Sequence, residues 1–459
     1  MSTLPLRVAA PVIKVLRSRK NPPVFPPLPG DLPSAVSLVD GVARIPHYEA
    51  YRVLAAALTP EAATHAPALR DELPAIVTHW LQSTDEAPIM LGAKEGARWR
   101  QILSGYAGAS IAGGAAGEPT AQVPFTIDYS SLQFPPVAEP AFRFIDLFAG
   151  IGGFRLALQA QGGKCVFTSE WDKYAKHTYA LNFGETPFGD IRQFTGPDIT
   201  ESEIRALIPN HDVLAAGFPC QPFSHAGVSA RSSLGQNHGF SCEIQGTLFF
   251  DLVRIAKAKR PKVLLLENVR NLENHNKGDT FARIRRTIEQ DLGYSFSYQI
   301  IDSSPLVPQR RKRCYMVCLR DKKVDFKFPE ITGPALALGK FLEKKPAEKY
   351  TISDRLWLGH INRTRRNLDR GTGFTAFEAD LTKPANTLVA RYYKDGKECL
   401  IPQDGKNPRM LTPRECARLQ GYPPEFLHHP TDTHAYKQFG NSVAVPVVKI
   451  IAKSVVDKL

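Results

Sequence analysis

The chain has no CxxC pair. Its seven cysteines, Cys165, Cys220, Cys242, Cys314, Cys318, Cys399 and Cys416, stand apart and are odd in number. That spacing indicates neither a disulfide framework nor a cysteine-rich zinc site, and no metal is expected. Long apolar runs are also missing. The amino terminus carries no signal-like stretch, and no run approaches the length that crosses a bilayer. A soluble protein of a reducing compartment, without a membrane partner, is the expectation. Acidic residues are in deficit, 45 against 58 Lys and Arg, for a net charge of +13. This excess favours a polyanionic partner and says nothing about fold. What is present is ordinary for a globular chain: 43% hydrophobic, 22% charged, and 459 residues, enough for two or three domains.

Residues 1–106 read as a separate accessory unit, alanine-rich, expected to be helical and interrupted by prolines, after a basic, proline-bearing arm. Residues 107–140, rich in glycine and then proline, read as a linker. Removing residues 1–139 is expected to leave any chemistry further along intact. From Phe142 the register changes. Strand candidates at Phe142–Phe148, Cys165–Ser169, Asp212–Ala216, Val263–Leu266 and Cys314–Leu319 alternate with helix candidates at Phe154–Ala160, Trp171–Asn182 and Thr247–Ala258. Such alternation predicts a Rossmann-like, doubly wound α/β sheet over residues 141–325. Residues 326–424 break it and read as a small mixed or β domain, with strands at Asn386–Ala390 and Cys399–Ile401 and a turn at Asp395-Gly396. Thr412 and Pro413 are set as N-cap and first residue of a short helix. Residues 425–459, ending in an apolar helix, are expected to pack back on the catalytic domain.

Two stretches carry chemistry. Phe148-Ala-Gly150-Ile151-Gly152-Gly153-Phe154 stands where a strand hands over to a helix. There, glycines permit close approach to the backbone and a helix end offers free N–H groups. Glu170 ends the next strand, as a ribose-binding acid does, and Asp190 is a second carboxylate suited to an adenine amino group. Without P-loop spacing, this set fits a nucleoside cofactor lacking a pyrophosphate, S-adenosylmethionine foremost. The other stretch, Gly217-Phe-Pro219-Cys220-Gln221-Pro-Phe-Ser224, holds one cysteine in a stiff turn, either a nucleophile or a structural thiol.

The chain resembles the DNA (cytosine-5)-methyltransferases of bacterial restriction–modification systems. The resemblance runs in order through Asp146–Phe154, Glu170-Trp171, Gly189–Ile191, Gly217–Ser224, Gly246–Phe250, Glu267–Val269, Gln309–Arg313, Arg414–Pro423 and Gly440–Val443. It implies that Trp171, Ile191, Pro219, Leu248, Asn441, Ser442 and Val443 join the glycine turn, Glu170 and Asp190 around the cofactor. It implies a target-recognition domain mostly between Arg313 and Arg414, with Gln221, Ser224, Gln309 and Thr387 as DNA contacts.

The chemistry explains the remaining groups. C5 of cytosine is a poor nucleophile until a thiolate adds to C6, which makes Cys220 the candidate nucleophile. Charge then develops at N3 and O2, for which Glu267 and Arg311 are the candidates, with Arg313 organising the site and Gln309 packing beside them. Water or hydroxide is the expected base for the C5 proton. A stacked cytosine hides its faces, so the base must flip out, and Gln221–Gly239 has the composition of a lid. The implied setting is a bacterial cytoplasm, at the nucleoid, as a monomer on sequence-specific duplex DNA with a cognate restriction endonuclease. The alternatives are an RNA cytosine methyltransferase or an inert DNA-binding regulator. The first 140 residues are left to bind a partner or DNA, or to self-associate.

Overall fold

The computed structural model describes residues 36–65, 67–83, 93–112, 122–219, 248–371 and 376–459. The amino-terminal part is mixed rather than helical. β1 (Ser37–Val39) and β2 (Val42–Pro46) form a hairpin over Asp40-Gly41, both at positive φ as a two-residue turn of this hand requires. β3 (Phe125–Asp128) adds parallel to β2 after the helices His47–His65, Pro67–Gln82 and Ala93–Ala112. The expected linker therefore holds the end of a helix and a strand. Nor does this unit have a core of its own. Leu54, Leu73, Trp80 and Trp99 pack in one apolar cluster with Ile145, Leu147, Val166 and Phe167. A unit that shares its core with the sheet is not a detachable accessory, and its removal would uncover apolar surface.

The main sheet has six strands in the order β5-β4-β6-β7-β9-β8. β4 (Phe142–Leu147), β5 (Gly163–Ser169), β6 (Val213–Gly217) and β7 (Val263–Val269) are parallel; β8 (Ser297–Asp302) and β9 (Lys312–Leu319) close it antiparallel. The central strands are buried on both faces, so they read as continuous apolar runs. Alternation sorts their side chains. Phe144, Ala215, Leu265 and Val317 face the helices Gly153–Gln159 and Val445–Val456. Ile145, Leu214, Leu264 and Met316 face the helix Leu248–Lys259 and the amino-terminal unit. β8 has no counterpart among the expected strands, because an edge strand of sequence Ser-Tyr-Gln-Ile-Ile-Asp is half exposed and only weakly patterned.

Residues 320–411 contain 3₁₀ turns, the helix Asp354–Asp369 and one hairpin, β10 (Ile401–Gln403) with β11 (Lys406–Arg409). The hairpin turns at Asp404-Gly405. Asp395-Gly396 instead ends a helical turn, Tyr392–Asp395, with Gly396 left-handed as its cap. Asn386–Ala390 is not a strand; it is extended chain beside an isolated bridge between Gln309 and Ala385. Thr412 does cap the helix Pro413–Leu419, in a reciprocal box with Glu415. The stretch Asp432–Val456, apolar and long enough by composition to cross a membrane, is two helices, Asp432–Asn441 and Val445–Val456. The second of these packs on Gly153–Gln159, in the core beside the sheet.

Candidate active site

The carboxyl ends of β4, β5, β6 and β7 open into one cleft of about 770 Å³, the size range of small-molecule sites. On its β4–β5 side lies the glycine turn, and each glycine has its own reason. Gly150 (φ +56) would project a Cβ into open space. At Gly152 (φ +85) a Cβ would fall 2.3 Å from the Phe183 ring, and at Gly153 one would fall 2.6 Å from Val443. So Gly150 keeps the cleft open, whereas its neighbours permit packing. Phe148 holds a positive φ of 57, an unfavourable angle for an aromatic residue at the lip of a pocket.

Glu170 leaves β5 and accepts from Gly150 N and Asp172 N, both at 2.8 Å. Burial pushes its pKa up, while those N–H groups pull the other way. Asp190 is buried, and Arg192 binds it through Nε and Nη2 at 3.0 and 2.6 Å. Trp171 stands 73% exposed at the cleft, an apolar plate on its wall. Ile191, Pro219, Leu248, Asn441, Ser442 and Val443 complete this wall.

On the β7–β9 side the geometry follows from strand register. Glu267 lies opposite Tyr315, and Val269 opposite Arg313. Alternation then puts Glu267, Arg313 and Arg311 on one face, which is what Gln-x-Arg-x-Arg encodes. Arg313 Nε is 3.2 Å from Glu267 Oε1. Burial raises the Glu267 pKa against the pull of Arg313 and Arg311. Arg311 is only 3% exposed and donates to the carbonyls of Leu388, Gly440 and Ser442 at 3.0, 3.1 and 2.6 Å. Burial and the neighbouring Arg313 push its pKa down to about 9, still a cation at neutral pH. Its Nε is buried with no partner among the described residues, and Arg311 lines the cleft. Gly217 pairs with Glu267, so β6 delivers Pro219 beside this carboxyl. Cys220, Gln221, Ser224 and the expected lid lie outside the described residues.

Gln309 does not reach the surface. It is fully buried, its amide donating to Leu419 O at 2.9 Å and accepting from Leu388 N at 2.8 Å. The DNA contact expected of it gives way to a linking role, since a sealed carboxamide with both ends engaged reads no DNA. Thr387, half-buried beside it, donates its hydroxyl to Arg310 O. Sequence reasoning also assigned no role to Asn268, whose amide holds Phe218 O at 2.9 Å, two residues before Cys220. It passed over Tyr174, His434 and Lys437 at the cleft as well. A signal existed only for Asn268, inside the Glu267–Val269 motif.

A C-5 cytosine-specific DNA methylase family model matches residues 142–457. The chain belongs to that family. It is 48% identical over 318 residues to the type II methyltransferase M.NlaX of Neisseria lactamica, covering 68% of this chain and 95% of that protein. It is 43% identical over 378 residues to the DNA-cytosine methyltransferase of Escherichia coli K12, covering 71% and 80%. In fold it is similar to the S. pombe Dnmt2 methyltransferase, with a TM-score of 0.53 at 18% identity over 69% of this chain and 98% of that one. This C5-cytosine DNA methyltransferase is of the bacterial restriction–modification type. It transfers a methyl group to C5 of cytosine in duplex DNA by base flipping, in an S-adenosylmethionine-dependent class of enzyme. The described cleft has room and side chains suited to such a cofactor: Gly150 leaves space, and Glu170, Asp190 and the exposed Trp171 line it.

Proposed function

We propose that the two sides of the cleft divide the reaction, the glycine-turn side holding the cofactor and the β7–β9 side activating the base. The observation that carries this is the Glu267–Arg313 pair, with Arg311 on the same strand face, one strand from the exit of β6 toward Cys220. When bound, S-adenosylmethionine supplies an electrophilic methyl group. Glu170 would hold its ribose and Asp190 its adenine amino group, and Trp171 would offer the ring a stacking face, with Phe148, Gly150–Phe154, Ile191, Pro219, Leu248 and Asn441–Val443 around it.

Cys220, as thiolate, adds to C6 of the flipped cytosine, and the ring electrons move toward C5. Glu267, kept protonated to higher pH by burial, gives its proton to N3 as charge develops there. Arg311 stabilises O2, and Arg313 keeps the Glu267 carboxyl aimed. After methyl transfer, water takes the C5 proton, the electrons of that C–H bond expel the Cys220 thiolate, and N3 returns its proton to Glu267. Gln221, Ser224 and Thr387 contact the DNA; a specific duplex sequence is methylated by one monomer. In a bacterial cytoplasm, at the nucleoid, this protects host DNA from a cognate restriction endonuclease. Bisulfite or long-read mapping of DNA from cells expressing the protein tests the reading. Methylcytosine at one recurring duplex sequence is expected; its absence, or methylation of RNA alone, would overturn it.

A further inference from the structure

The helix Pro67–Gln82 lies outside the family match, yet one of its faces docks where the cofactor-side carboxylates emerge. β5 is an edge strand, and its outward N–H and C=O groups need partners. Residues 185–190 supply some: Phe188 N donates to Thr168 O, and Glu170 N to Phe188 O. The helix supplies one more on β5 itself and also holds the segment that follows the strand. His79 Nε2 accepts from Thr168 N at 3.1 Å, Thr78 Oγ1 accepts from Thr186 N at 3.0 Å, and Gln82 Nε2 donates to Phe183 O at 2.6 Å. About two turns back along the helix, the Glu72 carboxylate accepts from Gly189 N at 3.2 Å. Glu72, His79 and Gln82 share a helix face by their spacing of seven and three. His79 Nδ1 sits 2.8 Å from Ala75 O, which assigns the proton to Nδ1 and leaves Nε2 as the acceptor.

Glu72 is buried and packs directly on the glycine: a Cβ at Gly189 would fall 2.6 Å from its Oε1. Lys176 Nζ stands 3.9 Å from its Oε2. The Gly189-Asp190 turn is thus gripped from two sides, by Glu72 at the Gly189 amide and by Arg192 at the Asp190 carboxylate.

We propose that Glu72 is a positioning residue of the cofactor site, setting the Gly189 turn that aims Asp190 into the cleft and so making the amino-terminal unit part of the affinity for S-adenosylmethionine. This rests on the assignment of Asp190 to the cofactor. Because Asp190 serves the nucleoside end and not the reacting methyl, weakening it removes binding common to ground and transition states, which raises KM and spares kcat.

The test uses the full chain, with S-adenosylmethionine binding by titration calorimetry and methyl transfer to duplex DNA at saturating cofactor. Glu72→Ala leaves the half-buried Gly189 N–H without its carboxylate acceptor and raises Kd and KM for the cofactor about 10-fold, with kcat within about twofold. Glu72→Gln, whose amide oxygen still accepts from Gly189 N, recovers most of the affinity. A folded Glu72→Ala protein with wild-type Kd, or one losing kcat and not affinity, overturns the proposal. Should Glu72→Ala not fold, Gly189→Ala displaces the same contact from the other side, and a wild-type Kd there overturns it equally. A wild-type chain that binds no S-adenosylmethionine overturns the cleft assignment itself, a separate result from normal binding that Glu72→Ala leaves unchanged.

Discussion

Glu170 and Glu267 face one cleft, and burial pushes both carboxyls up, yet their surroundings differ in kind. Glu170 is held by backbone N–H groups of Gly150 and Asp172, in a wall of glycines and buried turns. Glu267 is held by the Arg313 side chain on a strand that also carries Arg311. Backbone donors fix a carboxylate in place and favour its charged form without adding a cation, which suits an acceptor for a neutral diol. An arginine placed at a buried carboxyl tunes its proton, which suits catalysis. The glycine-turn side is thus built on backbone donors, and the β7–β9 side on paired charged side chains.

That contrast is open to breakage, starting with the base half. Cys220→Ala is expected to drop turnover by on the order of 10⁴-fold while duplex DNA still binds, as read by labelled methyl transfer and gel shift. Full-rate methylation would remove Cys220 from the mechanism. Glu267→Gln keeps the shape and a donor but no transferable proton, so kcat falls about 10²-fold with cofactor KM unchanged. The pH profile carries the sign. Glu267 acts in its protonated form, so wild-type kcat falls as pH rises through its elevated pKa, and this limb vanishes in Glu267→Gln. A variant that keeps the limb would assign the proton elsewhere.

The cofactor half responds differently. Gly150→Ala forces a β-carbon into the left-handed region, a cost of about 1–2 kcal/mol, and points a methyl into the cleft. KM for S-adenosylmethionine should rise roughly tenfold with kcat retained, since about 1.4 kcal/mol is a factor of ten. Loss of kcat instead would blur the division between the halves. A change read in stability and not in kinetics lies where the halves are joined. At Gly440 a Cβ would fall 2.3 Å from the Val389 backbone, so Gly440→Ala must displace that turn, costing about 1–3 kcal/mol in thermal unfolding. Unchanged stability would show that the Leu388–Ala390 segment yields freely.

The parallel strands were legible because burial on both faces demands apolar runs such as Val263–Leu266, and Gln309-x-Arg311-x-Arg313 was legible as one strand face. Local chemistry placed the Thr412 cap correctly for the same reason: a cap needs only its next few residues. Asp395-Gly396 and Asp404-Gly405 look alike in sequence, and only pairing partners select which one turns a hairpin. β3 pairs with β2 across some eighty residues, a contact that no local pattern carries. Gln309 looks like a surface amide until Leu419 and Leu388 close over it.

The order of motifs along the sequence was enough to determine the reaction class and to name the residue types it calls for. Those residue types are required by the chemistry of C5, whatever surrounds them. Tertiary structure alone decided which of these groups are reachable, how far burial moves the Glu267 and Arg311 protons, and that the amino-terminal helix docks on the β5 edge. Desolvation and edge-strand pairing depend on neighbours distant in the chain, and these come together only in the folded protein.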